Sequence, residues 1–316
     1  MKKFLKNSSL GILIAISVSV SAQTTGESKP SAQQEVVYIK GVRFVDALLE
    51  KWITEYSKTH PDVSFSIAGK EPHEYAIEVV PSVTRDENVS ATVSFGKYAI
   101  LPIAGKDNVL PDELKKKKLN EKRIKELFFE KDFLADDYEP EKKVKYDVTV
   151  YSGNGSHSVS HSFAGHFGYE ASSLKGKKIA GDDIYLNNAV QKDAKGVSFN
   201  HLNYVFDINS RRLNDGITLL PLDVKKEYAE VLNVQNLDKT IALLENKNIE
   251  LIPVEELAFV LSEKVNPATL RFVEWALSEE GQAFINPYGF LRLDTKAIAQ
   301  QQKKISTLET RFLANN

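Results

Sequence analysis

The sequence contains no cysteine. That absence removes disulfides, thiolate metal sites and cysteine nucleophiles, so an exported chain of this kind must be held by its apolar core alone. It also excludes a lipidated cysteine behind a leader. Neither charge is in excess: 41 basic and 43 acidic residues give a formal net charge of −2. A nucleic-acid binder would instead show a basic stripe with aromatics between the charges. No apolar run is long enough for comfort in a bilayer; LGILIAISVSV, at 10–20, is too short. Internal repeats are missing as well. Hydrophobic content of 42% and charged content of 27% set aside the disordered, collagen-like and membrane-embedded classes. A length of 316 residues suffices for one large domain or two lobes.

What is present begins with a secretory pattern. Lys2, Lys3 and Lys6 precede the apolar run, and VSA places Val20 and Ala22 at the positions a signal peptidase reads. Residues 1–22 are therefore expected to be cleaved, leaving a more acidic chain, not lipidated and not membrane-embedded, in the periplasm of a Gram-negative cell. Residues 23–34, polar and rich in breakers, read as a flexible linker.

Periodicity then alternates between strand and helix. VVYIKG reads as a strand stopped at Gly41, and Phe44, Val45, Leu48, Leu49, Trp52, Ile53 and Tyr56 recur at helical spacing until Pro61. DVSFSIAG is a second strand, which makes the opening a strand–helix–strand unit of an α/β layered protein. ATVSFGKYAILPIAGKDN, KYDVTVYSG, VSFNHLNYVFDI, GITLLPLD and IELIPVEELAFVLSEK read as further strands. Helices are expected over LNEKRIKELFFEKD, capped by Asn120, and over NLDKTIALLENKN. NPATLRFVEWALSEEGQAFI reads as one helix, with Asn266 as cap and Pro267 at its first position. The KKKK run at 115–118 reads as a solvated surface turn.

One stretch concentrates candidate chemistry: YSGNGSHSVSHSFAGHFG, residues 151–168. Ser152, Gly153, Asn154, Gly155, Ser156 and His157 offer small hydroxyls and bare backbone where a strand hands over to a helix. Such a loop either cradles an anion on free amides or merely caps the helix that follows. His157, His161 and His166 suggest a metal, but no carboxylate lies in the segment, and no metal site is assigned. Ser156 beside His157 is not a hydrolase pair, since neighbours on a helix point about 100° apart.

Several of these pieces together resemble the phosphate-type periplasmic solute-binding proteins. YIKGVRFVDALLEKWITEYSKTHPDVSFSI is similar to their opening, in which a Gly-Ser-x-Thr loop feeds a helix containing Trp. YSGNGSHS stands where they carry a Ser-Gly-Thr loop. ATLRFVEWALSEEGQAFINPYGFLRL is similar to their C-terminal helix, with its S-x-E-G-Q signature and closing strand. The resemblance implies a type II α/β fold of two hinged lobes, 35–104 with 254–316 and 105–253, crossing near Ala104–Lys106 and Ile252–Val254. It implies capture of a small anionic, phosphate-like solute for an inner-membrane permease of an ABC transporter, without cofactor or catalysis. Gly41, Val42 and Arg43 would face the ligand from one lobe, with Ser82 and Arg85 (and Thr84 beside them) as loose equivalents of a further loop. Residues 152–157 would face it from the other lobe, across a gap that prefers negative charge.

The departures are specific. The first loop reads Gly41-Val42-Arg43-Phe44, so two hydroxyl donors are gone and a guanidinium has arrived. Arg43 either binds an anion bidentately or points into water. The middle loop is short, and Tyr151 stands where the family often has arginine. An alternative from another class follows: the fold is kept as an envelope accessory protein that binds a protein or peptide partner.

Overall fold

Alternation in VVYIK produces strand β1 (Glu35–Lys40), which ends at Gly41. Helix α1 (Arg43–Ser57) follows and buries Phe44, Val45, Leu48, Leu49, Trp52 and Tyr56 along one stripe, with Ile53 half-buried at its margin. Strand β2 (Val63–Ile67) lies parallel to one edge of β1, and β3 (Ile77–Pro81) is parallel on the other. The computed structural model describes residues 35–67, 74–81, 91–108, 117–130, 146–262 and 265–314. The expected leader and linker, together with Ser82, Thr84, Arg85 and the first half of the KKKK run, lie outside the described residues.

A long strand, β4 (Thr92–Gly105), organises the rest. Its first part, Thr92–Ala99, pairs antiparallel with β9 (Val254–Leu261), which also pairs with β3. From Ile100 to Ala104 it pairs instead with β7 (Gly196–His201). Beyond β7 come β5 (Thr149–Gly153) and β6 (Lys177–Ile179), both parallel additions, while β8 (Ile217–Leu219) pairs with Ile103–Gly105. The order is β2-β1-β3-β9-β4-β7-β5-β6. Two half-sheets thus share one strand. The change of partner falls at Ala99–Ile100, and the chain comes back at Pro253, whose carbonyl accepts the Ile100 amide at 3.0 Å.

On the β7 side α2 (Glu121–Phe128) is capped as expected by Asn120, which accepts from the Arg123 amide at 3.0 Å, and buries Ile124, Leu127 and Phe128. The same side carries α3 (Val159–His166), α4 (Ile184–Lys192), α5 (Leu202–Val205), α6 (Lys226–Asn233) and α7 (Leu237–Asn246). VSFNHLNYVFDI is not one strand: after His201 the chain winds into α5, so that Leu202 and Val205 are buried about one turn apart.

On the β9 side the expected C-terminal helix is two helices, α8 (Pro267–Ala276) and α9 (Glu279–Gln282), with α10 (Thr295–Ala314) after them. The break has a physical cause in the SEEGQ signature. Ser278 turns extended and caps α9 through the Gly281 amide. A Cβ on Gly281 would overlap the Trp275 carbonyl, and the Gly281 carbonyl accepts the Trp52 indole N–H at 2.8 Å. Gln282 then donates to the Phe95 and Ala276 carbonyls at 3.0 and 2.9 Å. The motif joins α1, α8 and β4 inside the core. Among the described residues no helix is long and apolar enough to cross a membrane.

Candidate functional site

The β1–α1 loop places Gly41 and Val42 half-buried and Arg43 exposed. Val42 is the N-cap and supplies no side-chain hydrogen bond. A Cβ on Gly41 would overlap Asp46 Oδ1, so the glycine admits that carboxylate against the loop. Asp46 Oδ1 is buried with no hydrogen-bond partner among the described residues. Burial pushes its carboxyl pKa up, Glu50 and Asp182 add to the shift, and Arg43 opposes it. The Arg43 guanidinium lies 3.8 Å from Asp182 Oδ2.

Phe44, standing where the resemblance calls for threonine, reaches across the junction. Its ring stacks on His201 at the end of β7, centroids 3.9 Å apart and 6° from parallel, and meets Tyr98 of β4 edge-on at 5.4 Å. All three side chains are buried. Asn203 donates to the Phe44 carbonyl at 2.6 Å, and Tyr98 shares a 2.6 Å hydrogen bond with Ser162 on α3. Burial drives the Tyr98 phenol upward. Aromatic stacking therefore joins the two sides of the sheet at the loop from which the hydroxyl donors are missing.

The β5–α3 loop divides its expected donors. Ser152 is fully buried, and its hydroxyl accepts from Lys178 Nζ at 3.1 Å. Lys178 is also held by the Ala171 and Leu174 carbonyls, with burial lowering its pKa. Asn154 is exposed, and its amide donates to the Ile179 carbonyl at 3.2 Å. Gly155 is half-buried with open space around it, and its carbonyl accepts the Ser158 amide at 3.0 Å. Ser156 and His157 are exposed and precede the helix, whose N-cap is Ser158.

The first amides of α3 are not free. Asp183, from the β6–α4 turn and nearly buried, accepts the Ser158 hydroxyl on Oδ1 at 2.7 Å and the Val159 amide on Oδ2 at 2.7 Å. A Cβ on Gly153 would overlap Ser158 Oγ and come within 2.7 Å of Asp183 Oδ1. The glycine thus serves a carboxylate of the chain itself. Asp182, beside it, accepts the Ile184 amide at 3.0 Å. Burial followed by Asp182 pushes the Tyr204 phenol up. Three carboxylates, Asp46, Asp182 and Asp183, stand in the space expected to attract negative charge.

An open groove of about 320 Å³ remains next to this point, between α3 and the ends of β3 and β9. Ser156, His157, His161 and His166 line one wall, with Pro81 and Glu255 opposite. Burial pushes the Glu255 carboxyl up and His166 pulls it back. His166 Nε2 lies 2.7 Å from the Glu250 carbonyl. Among the described residues no three histidine or acidic side chains converge closely enough to hold a metal.

Sequence reasoning missed Asp46, Asp183, His201 and Glu255. A signal for Asp183 existed: Gly181-Asp182-Asp183 immediately precedes the apolar periodicity of α4, the usual place for a helix-start carboxylate. Nothing local marks its partner, 25 residues upstream.

No family model matches the sequence, nor does any curated protein. Solved structures do share the fold. An ABC-type phosphate transport receptor from Vibrio cholerae superposes with a TM-score of 0.54 at 12% identity, covering 81% of this chain and 100% of that one. A Clostridium perfringens protein described as a phosphate ABC transporter substrate-binding protein, solved with bound phosphate, gives 0.53 at 17% identity, covering 82% and 100%. The class is therefore defined by architecture alone: the type II, two-lobe fold that these solved structures share, at 12–17% sequence identity.

Proposed function

We propose that this chain is a non-catalytic binding protein of the periplasm, exported by its leader, in which the fold serves contacts with another envelope protein rather than carriage of free oxyanion. The lobes we assign are 35–104 with 254–316 and 105–253. One observation carries the reading: the Asp183 carboxylate sits on the Ser158 hydroxyl and the Val159 amide. Those donors cannot serve a second anion at the same time, and the neighbouring carboxylates Asp46 and Asp182 raise the electrostatic cost of bringing one in. Phe44 stacked on His201 occupies the facing position.

Capture of a small anionic solute for an inner-membrane permease is the second reading. The groove beside Ser156 and His157 favours it, as does the phosphate held by the Clostridium perfringens protein. Arg43, Ser156 and His157 would then be among the contacts.

A thermal-shift screen with phosphate, sulfate and molybdate separates the two. A ligand that binds only the folded form at a hundred times its dissociation constant adds about 2.7 kcal/mol, an easily visible rise in Tm. The first reading predicts silence from every anion at matched ionic strength, together with a specific cross-linked partner in envelope extracts. A phosphate-dependent rise that disappears in an Arg43→Ala, Ser156→Ala double variant establishes the second.

A further inference from the structure

We infer that Asp183 is a built-in ligand: its side chain fills an oxyanion position at the start of α3, and deleting it opens that position to a free small carboxylate. This rests on the reading that the anion position is filled from within. A helix leaves its first amides without intrahelical partners, and α3 is a full eight residues long. Asp183 answers that need with the geometry of a bound ion. One oxygen takes a hydroxyl hydrogen and the other a backbone amide, each at 2.7 Å.

An independent observation marks the same spot. His201 is 1% exposed, and neither of its ring nitrogens has a hydrogen-bond partner among the described residues. Its Nε2 points toward Asp183 Oδ2 from 3.7 Å, beyond hydrogen-bond reach. A tethered carboxylate stops short of this nitrogen, whereas an untethered one can move to meet it. The charged groups around the position are Asp46, Asp182 and Arg43, with the Tyr204 phenol also facing Asp182 and Asp183. The backbone is held independently of the carboxylate: the Asp183 carbonyl accepts from Asn200 Nδ2 at 2.7 Å and from the Leu186 amide at 3.0 Å. The turn can therefore keep its shape when the side chain is shortened.

The chemistry sets the probe. Asp183→Ala removes a carboxylate group, and formate replaces it atom for atom; Asp183→Gly removes one methylene more, and acetate replaces that. Melting of the full chain is measured in formate, acetate and chloride at matched ionic strength. Asp183→Ala is expected to melt below the parent in chloride and to recover in formate, saturably, by about 3 °C. Asp183→Gly is expected to respond to acetate, and Asp183→Asn, whose amide still fills the position, to neither. If Asp183→Ala does not fold in chloride, its refolding yield with formate replaces the melt, and recovery in formate alone is the supporting result. Equal behaviour in formate and chloride, by melt or by refolding, overturns the inference. The parent's silence toward phosphate tests the proposed function separately: a silent parent with an unrescued Ala variant sinks only the built-in ligand. A phosphate-responsive parent sinks the reading beneath it.

Discussion

The two strand-to-helix loops at the junction solve the same local problem in opposite ways. Both leave a β-strand through glycine and enter a helix that needs partners for its first amides. At β1–α1 the cap position is Val42, which offers no side-chain cap, and a buried phenyl ring holds the loop to His201 at the end of β7. At β5–α3 the start is saturated twice, by Ser158 and by Asp183. Each glycine makes room for a carboxylate, Asp46 under Gly41 and Asp183 beside Gly153. Only the second is hydrogen-bonded at the helix start; Asp46 Oδ1 has no partner among the described residues. A carboxylate can thus substitute for a ligand or simply be a burdened neighbour, and the amides it reaches decide which.

That contrast can be broken most sharply at Phe44. Phe44→Ala removes a buried ring stacked on His201 and should cost about 3–4 kcal/mol in a urea melt. A loss under 1 kcal/mol would show that the junction is not held by this ring. Ser158→Ala should cost about 2 kcal/mol, because it removes both a cap and the hydroxyl on Asp183.

Asp46→Asn should act in the opposite direction. A carboxyl whose folded pKa is raised binds its proton more tightly when folded, so its contribution favours folding at low pH and is lost as pH rises from the unfolded value, about 3.9, through the folded one. The neutral amide removes that burden, and the variant should gain about 1 kcal/mol at pH 7, with the gain fading as pH falls through the raised folded value and absent below the unfolded one. Loss of stability at pH 7 would mean that the carboxylate has a favourable role. Arg43→Ala, at a pair 3.8 Å long whose guanidinium is largely exposed, should change stability by about 0.5 kcal/mol or less, and more weakly still in high salt.

Much of the scaffold was legible because its signals are local. Asn120 joins a cap to the stripe Ile124, Leu127 and Phe128, and Leu237, Ile241 and Leu244 mark one side of a second short helix. The layered α/β class followed from the alternation of such segments. Where the reading failed, a distant contact had overridden the local pattern. Gly281 against Trp275 and Trp52 splits the last expected helix, and α5 turns VFDI away from β7. The site followed the same rule. Ser152 looked like a ligand donor because nothing nearby reveals that its side chain is fully buried against Lys178. The expected gap preferring negative charge is instead occupied, at the α3 start, by a carboxylate of the chain itself.

The Val159 amide offers the most direct measurement of that last point, because as a first-turn donor it has no partner inside its own helix. Hydrogen exchange followed by NMR should find it protected in anion-free buffer, unchanged by added phosphate, and unprotected once Asp183 is replaced by alanine. Rapid exchange in anion-free buffer, slowed by phosphate, would contradict the account and return the position to a free solute.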